Sequence, residues 1–518
     1  MGCVVSEFSR RDFLRTSMMA GVVAGVSSVF PSLVRAADEG KYNVLFIAVD
    51  DLRTTLGCYG APVIKTPNID AIAARGTTFK RAYCQQALCS PSRSSLITGR
   101  RPDTTRIYDL TEHFRKYLPD VVTLPQYFKQ HGYETHGLSK IYHPKLDDPA
   151  SWTVPHWDPK APTYLKPESL AARDKRDAEL KAQGAKTNEE VIETDPKTGM
   201  PLAVKRVPPA SRVRGPAWED PDVPDNALAD GMTADEAIKR LHDLKDKRFF
   251  LAVGFLKPHL PFVAPKKYFD LYPLDNIRTA GNQFPPKGCP PIALTNWAEL
   301  RAYTDIPDVG PMTESQQKQL IRAYYAATSY VDAQIGKVVD ELDKLGLRDK
   351  TIIVLWGDHG WQLGEHDEWC KQTNFEEATH SPLIISAPGQ KNAGAKADAL
   401  VEFVDIYPTL CELAGLPKPS GVEGVSLAPV MRDPKRNVKT AAFSQYPRAG
   451  GVMGYTMRTD RYRYTEWIKN GKENVGTELY DYKTDPEGNL NLADKPEYKQ
   501  LKAKLAKMLD DGWKAARW

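Results

Sequence analysis

The chain has 518 residues, 41% hydrophobic and 26% charged, with a formal net charge of +4. That length can bury a large core and hold one large domain with a smaller one, and so small a charge gives no case for nucleic acid as a partner. Seven cysteines stand at scattered positions without a C-x-x-C pair or zinc spacing, which excludes a disulfide framework or a zinc module as the organising principle.

The N-terminus carries Ser9-Arg10-Arg11-Asp12-Phe13-Leu14, an apolar run over 18–30 and then Val34-Arg35-Ala36. A twin arginine, an apolar segment and a small-residue cleavage site read as a twin-arginine export signal over residues 1–36. The run is too short and too rich in Gly and Ser for a spanning helix, so no stable membrane anchor is expected. The expected location is periplasmic or extracellular in a bacterium, with the Tat translocon as carrier. Removing 1–36 takes away four arginines and two acids and leaves a mature chain at +2.

Residues 43–49, Asn-Val-Leu-Phe-Ile-Ala-Val, form a continuous apolar run and predict a strand buried on both faces. It ends in Asp50-Asp51. Two adjacent carboxylates at a strand's C-terminal end are costly unless a cation or catalysis uses them. A cap or turn explains one of them, not both, so the pair is read as a metal site. Residues 66–80 read as a helix capped by Asn68 with Ile69, Ile72 and Phe79 on its apolar face.

Next comes Cys89-Ser90-Pro91-Ser92-Arg93. Ser90 as cap and Pro91 at the first helical position predict a helix start. Cys89 then sits where free N–H groups favour an anion, and Arg93, one turn on, can add a forked donor.

A helix–turn–strand unit over 123–137 precedes Leu138-Ser139-Lys140-Ile141-Tyr142-His143. From spacing alone Lys140 and His143 are ordinary solvated loop residues. Residues 145–229, rich in Pro, Asp and Lys, read as a surface insertion with one charged helix near 167–182. A helix is expected over 235–244 and a second buried strand over 248–255, ending in Lys257-Pro258-His259. Thr313-Glu314-Ser315-Gln316 is a capping box opening the longest helix, with Ile321, Tyr325, Thr328, Ile335, Val339 and Leu342 inward and Gly346 as its stop. A third buried strand, 351–356, ends in Gly357-Asp358-His359-Gly360. A polar loop with Lys371, a strand over 382–389 and a helix from Val404 complete the large domain. Alternating strands and helices over 42–430 predict a mainly parallel α/β sheet. From about Asn437 short polar–aromatic segments predict a small antiparallel sheet closed by a helix over 497–513.

Asp50, Asp51 and Asp358 form a hard-oxygen set that prefers Ca²⁺ or Mg²⁺ over zinc. Facing an anion-binding helix start, such a cation points to hydrolysis of a sulfate or phosphate ester.

Cys89-x-Pro91-Ser92-Arg93, with Leu96, Thr98, Gly99 and Arg100 downstream, resembles the signature of the type I sulfatases, the formylglycine-dependent family. Asp50-Asp51-Leu52-Arg53, Lys257-Pro258-His259, Asp358-His359-Gly360-Trp361 and Ser444-Gln445-Tyr446-Pro447-Arg448 extend the likeness over nearly the whole mature chain, nearest to the iduronate-2-sulfatase branch. The resemblance implies an alkaline-phosphatase-like fold, with a catalytic domain over 37–435 and a C-terminal subdomain over 436–518. It implies that a formylglycine-generating enzyme converts Cys89 to Cα-formylglycine, and that one Ca²⁺ is held by Asp50, Asp51, Asp358, His359 and position 89. Arg93, Lys140, His143, His259 and Lys371 would then surround the sulfate. The implied mechanism uses the hydrated aldehyde: one hydroxyl attacks sulfur, His259, with His143 able to share the task, protonates the leaving sugar oxygen, and the second hydroxyl expels sulfate. The implied substrate is a sulfated carbohydrate. Two other readings stay open from sequence: a phosphate or phosphonate monoester hydrolase of the same superfamily, and a non-catalytic glycan-binding homologue in which Cys89 stays a thiol.

Overall fold

The computed structural model describes residues 42–518 apart from positions 62, 185, 188–189, 197, 207–209 and 212. The export signal expected over 1–36 lies outside the described residues. Among the described residues no helix is long and apolar enough to cross a membrane.

Seven strands make the central sheet: β1 (Asn43–Val49), β2 (Thr77–Tyr83), β3 (Glu134–Ser139), β4 (Phe249–Phe255), β5 (Thr351–Gly357), β6 (Leu383–Ser386) and β7 (Ala395–Glu402). Their order is β7-β2-β6-β5-β1-β4-β3. β1 lies parallel between β5 and β4, and β3 is parallel to β4. β6 runs antiparallel to both β5 and β2, while β7 is parallel to β2. The sheet is therefore mixed and mainly parallel. Every residue of β1, β4 and β5 is buried. The alternation of side chains explains why: Val44, Phe46 and Ala48 enter one apolar core, and Leu45, Ile47 and Val49 enter another on the opposite face.

Five helices matter for the site: α1 (Pro67–Ala74), α2 (Cys89–Thr98), α3 (Ala229–Leu244), α4 (Glu314–Lys344) and α5 (Lys499–Ala515). The capping box of α4 forms as expected. Thr313 Oγ1 accepts from the Gln316 N–H at 3.3 Å, and Gln316 Oε1 accepts from the Thr313 N–H at 2.9 Å. Ile321, Thr328, Ile335 and Leu342 are buried, Tyr325 and Val339 half-buried, and Gly346 ends the turn at φ +67°.

Several expectations are corrected. The helix placed over 66–80 ends at Ala74, and residues 77–83 become β2. Gly76 permits the break, because a Cβ there would lie 2.6 Å from the Ile385 carbonyl oxygen. Sheet pairing then claims Phe79. Asn68 is no cap but the second residue of α1. Asp332 of α4 accepts the N–H groups of Asn68 and Ile69 at 3.2 and 2.8 Å and serves as a remote cap. The helix expected over 235–244 begins at Ala229. The segment 382–389 contributes only β6, in reversed direction, and β7 has no counterpart in the sequence reading.

Residues 145–229 hold the helix Pro167–Ala182 and a hairpin, Glu190–Thr194 with Pro201–Arg206. The segment is anchored by buried Trp152, Tyr164 and Ala217. Near the C-terminus β8 (Ala441–Arg448), β9 (Val452–Thr459), β10 (Tyr462–Lys469) and β11 (Glu473–Asp481) form a separate antiparallel meander, and Leu505 of α5 joins its apolar cluster. Arg458 and Arg463 fasten this sheet to Glu376 at 3.1 and 2.6 Å.

Candidate active site

The site gathers at the C-terminal ends of the parallel strands, where open α/β sheets bind ligands. β1 and β5 are in register at Val49 and Gly357, so Asp50-Asp51 and Asp358-His359 leave the sheet side by side. Asp51 takes a left-handed backbone at φ 60°. Asp358 Oδ1 accepts the N–H groups of Asp51 at 3.0 Å and of His359 at 3.1 Å. Lys140 follows β3 directly, and the loop after β4 carries His259. Across from them α2 begins at Cys89 itself, with Leu88 as the flanking residue. The serine cap expected at Ser90 does not form, because Ser90 is already inside the first turn.

Cys89 Sγ lies 3.4 Å from Asp50 Oδ1 and 3.4 Å from His359 Nε2, with Lys140 Nζ at 3.9 Å. Lys140 also donates to Asp50 Oδ2. Lys371 Nζ donates to both oxygens of Asp51 at 3.0 Å and stands 4.8 Å over the Trp361 ring. Arg93 is consumed by the acids. Its Nε donates to Asp358 Oδ2 at 2.9 Å, Nη2 to Asp50 Oδ1 at 3.2 Å, and Nη1 to the carbonyls of Ile141, at 3.2 Å, and Lys140. His259 Nδ1 faces the Leu260 carbonyl at 2.5 Å, which leaves Nε2 toward the site, 3.9 Å from Asp51 Oδ2. His143 is half-buried and shares a cavity of about 180 Å³ with Lys140 and His156.

Burial and charge set the protonation of these groups in opposite directions. Burial raises the Asp50 carboxyl, but Lys140, His259 and Arg93 together hold it well below the usual carboxylate range. Burial also raises Asp51; Lys371 opposes it, Asp50 and Glu299 add to it, and the carboxyl ends well above that range. The Cys89 thiol is pushed well up by burial and by Asp50. Burial carries both His259 and His359 down toward the neutral imidazole.

Oxygen, nitrogen or sulfur atoms of Asp50, Cys89, Asp358 and His359 all lie within 4.8 Å of one another, as do those of Asp50, Asp51, Cys89 and His259. Three carboxylates and an imidazole fit a hard divalent cation, which would also relieve the charge crowding that raises Asp51. A thiol at position 89 is the poor member of that set, and an oxygen there would complete it.

The sequence reading passed over Glu299. It sits on the short helix Ala298–Arg301, and its Oε1 lies 3.0 Å from Lys371 Nζ and 3.3 Å from His259 Nε2. An acid in a proline-rich, aperiodic stretch carries no signal of its own. Tyr324 was missed too. Its hydroxyl donates to the Asp51 carbonyl at 2.7 Å and helps fix that residue's turn. A separate cavity of about 460 Å³, lined by Arg101, Asp103, Gln445 and Trp513, contains none of the site residues.

The fold is alkaline-phosphatase-like, a mixed, mainly parallel sheet with a separate antiparallel sheet near the C-terminus. The family model described as sulfatase matches residues 42–416, and one described as N-sulphoglucosamine sulphohydrolase, C-terminal, matches 364–514. The chain is 34% identical over 534 residues to iduronate 2-sulfatase of Mus musculus, covering 87% of this chain and 90% of that protein. A sulfatase of Formosa agariphila is 33% identical over 497 residues, covering 90% and 87%. A solved structure of a protein in complex with its substrate D-glucosamine-2-N,6-O-disulfate superimposes with a TM-score of 0.69 at 23% identity, over 92% of this chain and 98% of that one. The chain belongs to the sulfatase family and is a sulfuric ester hydrolase.

Proposed function

We propose that this enzyme removes sulfate from a sulfated sugar, a glycosaminoglycan or other polysaccharide fragment with 2-O-sulfated uronates included, through a formylglycine at position 89 and one Ca²⁺. The observation that carries the reading is the convergence at Cys89: a helix-start residue within reach of three carboxylates, an imidazole and Lys140. The names of the relatives support the sugar sulfate.

Asp50, Asp51, Asp358 and His359 would hold the cation. The cation would supply Lewis acidity and the formylglycine a nucleophilic oxygen aimed at sulfur. Arg93 keeps Asp50 and Asp358 in place. Lys140 and Lys371 offset charge on the sulfate oxygens. His259 would act on the leaving sugar oxygen through Nε2, because Nδ1 is tied to the Leu260 carbonyl; to serve as the acid it must first take up a proton at Nε2, against the burial that favours its neutral form. Burial of the cluster excludes water and strengthens each of these interactions. His143 and the insertion residues around Pro159 border cavities beside Lys140 and His259 and would receive the sugar. The catalytic domain spans 37–435, with the insertion 145–229, and the C-terminal subdomain spans 436–518. A formylglycine-generating enzyme matures Cys89 before export through the Tat translocon to the periplasm or beyond.

The test is the mass of the peptide 82–93 from protein co-produced with a formylglycine-generating enzyme. The aldehyde form is expected in the active preparation. Full turnover from protein holding only unmodified cysteine would overturn the covalent reading.

A further inference from the structure

The site around Cys89 is closed on most sides. The side chains of Asp50, Asp51, Asp358 and His359 are 0% exposed, and Arg93, Lys371 and Lys140 are at most 5% exposed. His259 and Glu299 differ, at 23% and 11%. With half-buried His143 they are the site side chains that solvent reaches, so a group leaving the sulfur would pass beside them.

Two nitrogens of the site converge on one oxygen of Glu299. Lys371 Nζ and His259 Nε2 meet Oε1 at 3.0 and 3.3 Å, and Oε2 takes no hydrogen bond among the described residues. Arg214 donates to the Glu299 carbonyl at 2.8 Å, which pins the short helix, and its charge adds to that of Lys371 in favouring the ionised carboxylate. Lys371 reaches Asp51 as well, at 3.0 Å to both oxygens, and its charge holds the Glu299 carboxyl below the usual range against burial. A partly exposed carboxylate with one oxygen tethered and the other without a hydrogen bond among the described residues can accept from a hydroxyl.

We propose that Glu299 is a specificity residue: Oε2 accepts a hydroxyl of the sugar that bears the sulfate, on a carbon next to the ester, while Oε1 keeps Lys371 and His259 in register. The proposal rests on the sugar-sulfatase reading above. It places the substrate among sulfated sugars with a free hydroxyl beside the sulfate, and it sets fully substituted neighbours at a disadvantage.

The experiment is a double cycle on the matured enzyme. The best substrate is chosen from a panel of 2-O-, 3-O- and 4-O-sulfated hexose, hexosamine and hexuronate saccharides with 6-O-sulfated hexoses and hexosamines beside them; the 6-O esters have no hydroxyl on the neighbouring carbon, so a preference for them would overturn the role of Glu299. It is compared with analogues deoxygenated at either neighbouring carbon, in wild type, Glu299→Ala and Glu299→Gln. A hydrogen bond to a carboxylate predicts that one deoxy analogue loses about 10- to 100-fold in kcat/KM with wild type. Glu299→Ala should lose a similar factor on the full sugar and then be indifferent to the deoxygenation. Glu299→Gln keeps the shape without the charge and should fall between; it carries the cycle if the alanine variant melts early. Additive losses, or no loss on either deoxy analogue, would overturn the role of Glu299 while leaving the enzyme a sugar sulfatase. If wild type cleaves 4-nitrophenyl sulfate but no sulfated sugar, the substrate reading falls and this proposal with it.

Discussion

Replacing Arg93 by alanine tests whether one buried guanidinium holds the strand-end acids in place. Arg93 is 1% exposed and bonds Asp358 and Asp50, both fully buried, at 2.9 and 3.2 Å. Asp50 would keep Lys140, but Asp358 would lose its one cationic partner among these bonds and keep the N–H groups of Asp51 and His359 on Oδ1 and the His359 imidazole at 3.6 Å. Removing one partner of a buried ion pair costs about 3–5 kcal/mol. The unfolding entropy of a chain this long is about 1 kcal/mol per kelvin, so the melting temperature should fall by about 3–5 °C. Arg93→Lys supplies a point charge that cannot fork between two carboxylates and should recover only part of that loss. Calorimetry on the matured enzyme, with turnover of 4-nitrophenyl sulfate measured beside it, reads both effects. An alanine variant that melts within 1 °C of wild type and keeps its turnover would refute the reasoning.

Cys89→Ala should abolish turnover while shifting the melting temperature by less than about 1 °C, since one small side chain at a helix start contributes little packing; retained activity contradicts the mechanism. EGTA should lower the melting temperature and Ca²⁺ restore it, with Asp358→Asn blunting the response. A melting curve indifferent to EGTA in the wild type would argue against the Ca²⁺ site. His113 is buried, and that burial depresses its imidazole to about 4. Its folded value lies below the unfolded one, so stability is full above pH 6.5 and is lost as pH falls from 6.5 toward 4, by roughly 3 kcal/mol. Denaturant titrations of wild type and His113→Gln between pH 7 and 4 check this; parallel pH slopes for the two proteins would show that His113 is not the responsible group.

The chemistry of the site was legible because it lies in short sequence units. An apolar run closed by Asp50-Asp51 could only be a buried strand ending in charge, and the structure places both carboxylates at 0% exposure. The Thr313–Gln316 box is likewise local, and its two hydrogen bonds join residues three apart. Lys140 and His143 were different. Nothing in their surroundings along the chain separates them from solvated loop residues, and only the family resemblance raised them. The fold then sets Lys140 against Cys89 and Asp50, and His143 in the cavity beside Lys140. The strand β2 was read as helix because a seven-residue segment with Phe79 fits either period. Its partners, β6 and β7, lie some 300 residues away.

Read alone, the residues give the class of fold, the acids that end its strands, a cysteine at a helix start and the capped long helix. Each of these is a local pattern of polarity and backbone preference. Only the tertiary structure decided the reversal of β6, the remote capping of α1 by Asp332, and the capture of Arg93 by two carboxylates. It alone brought Glu299 to the mouth of the site. Those outcomes depend on which distant groups satisfy a buried hydrogen bond or charge, and that is a property of the packed chain rather than of any stretch of it.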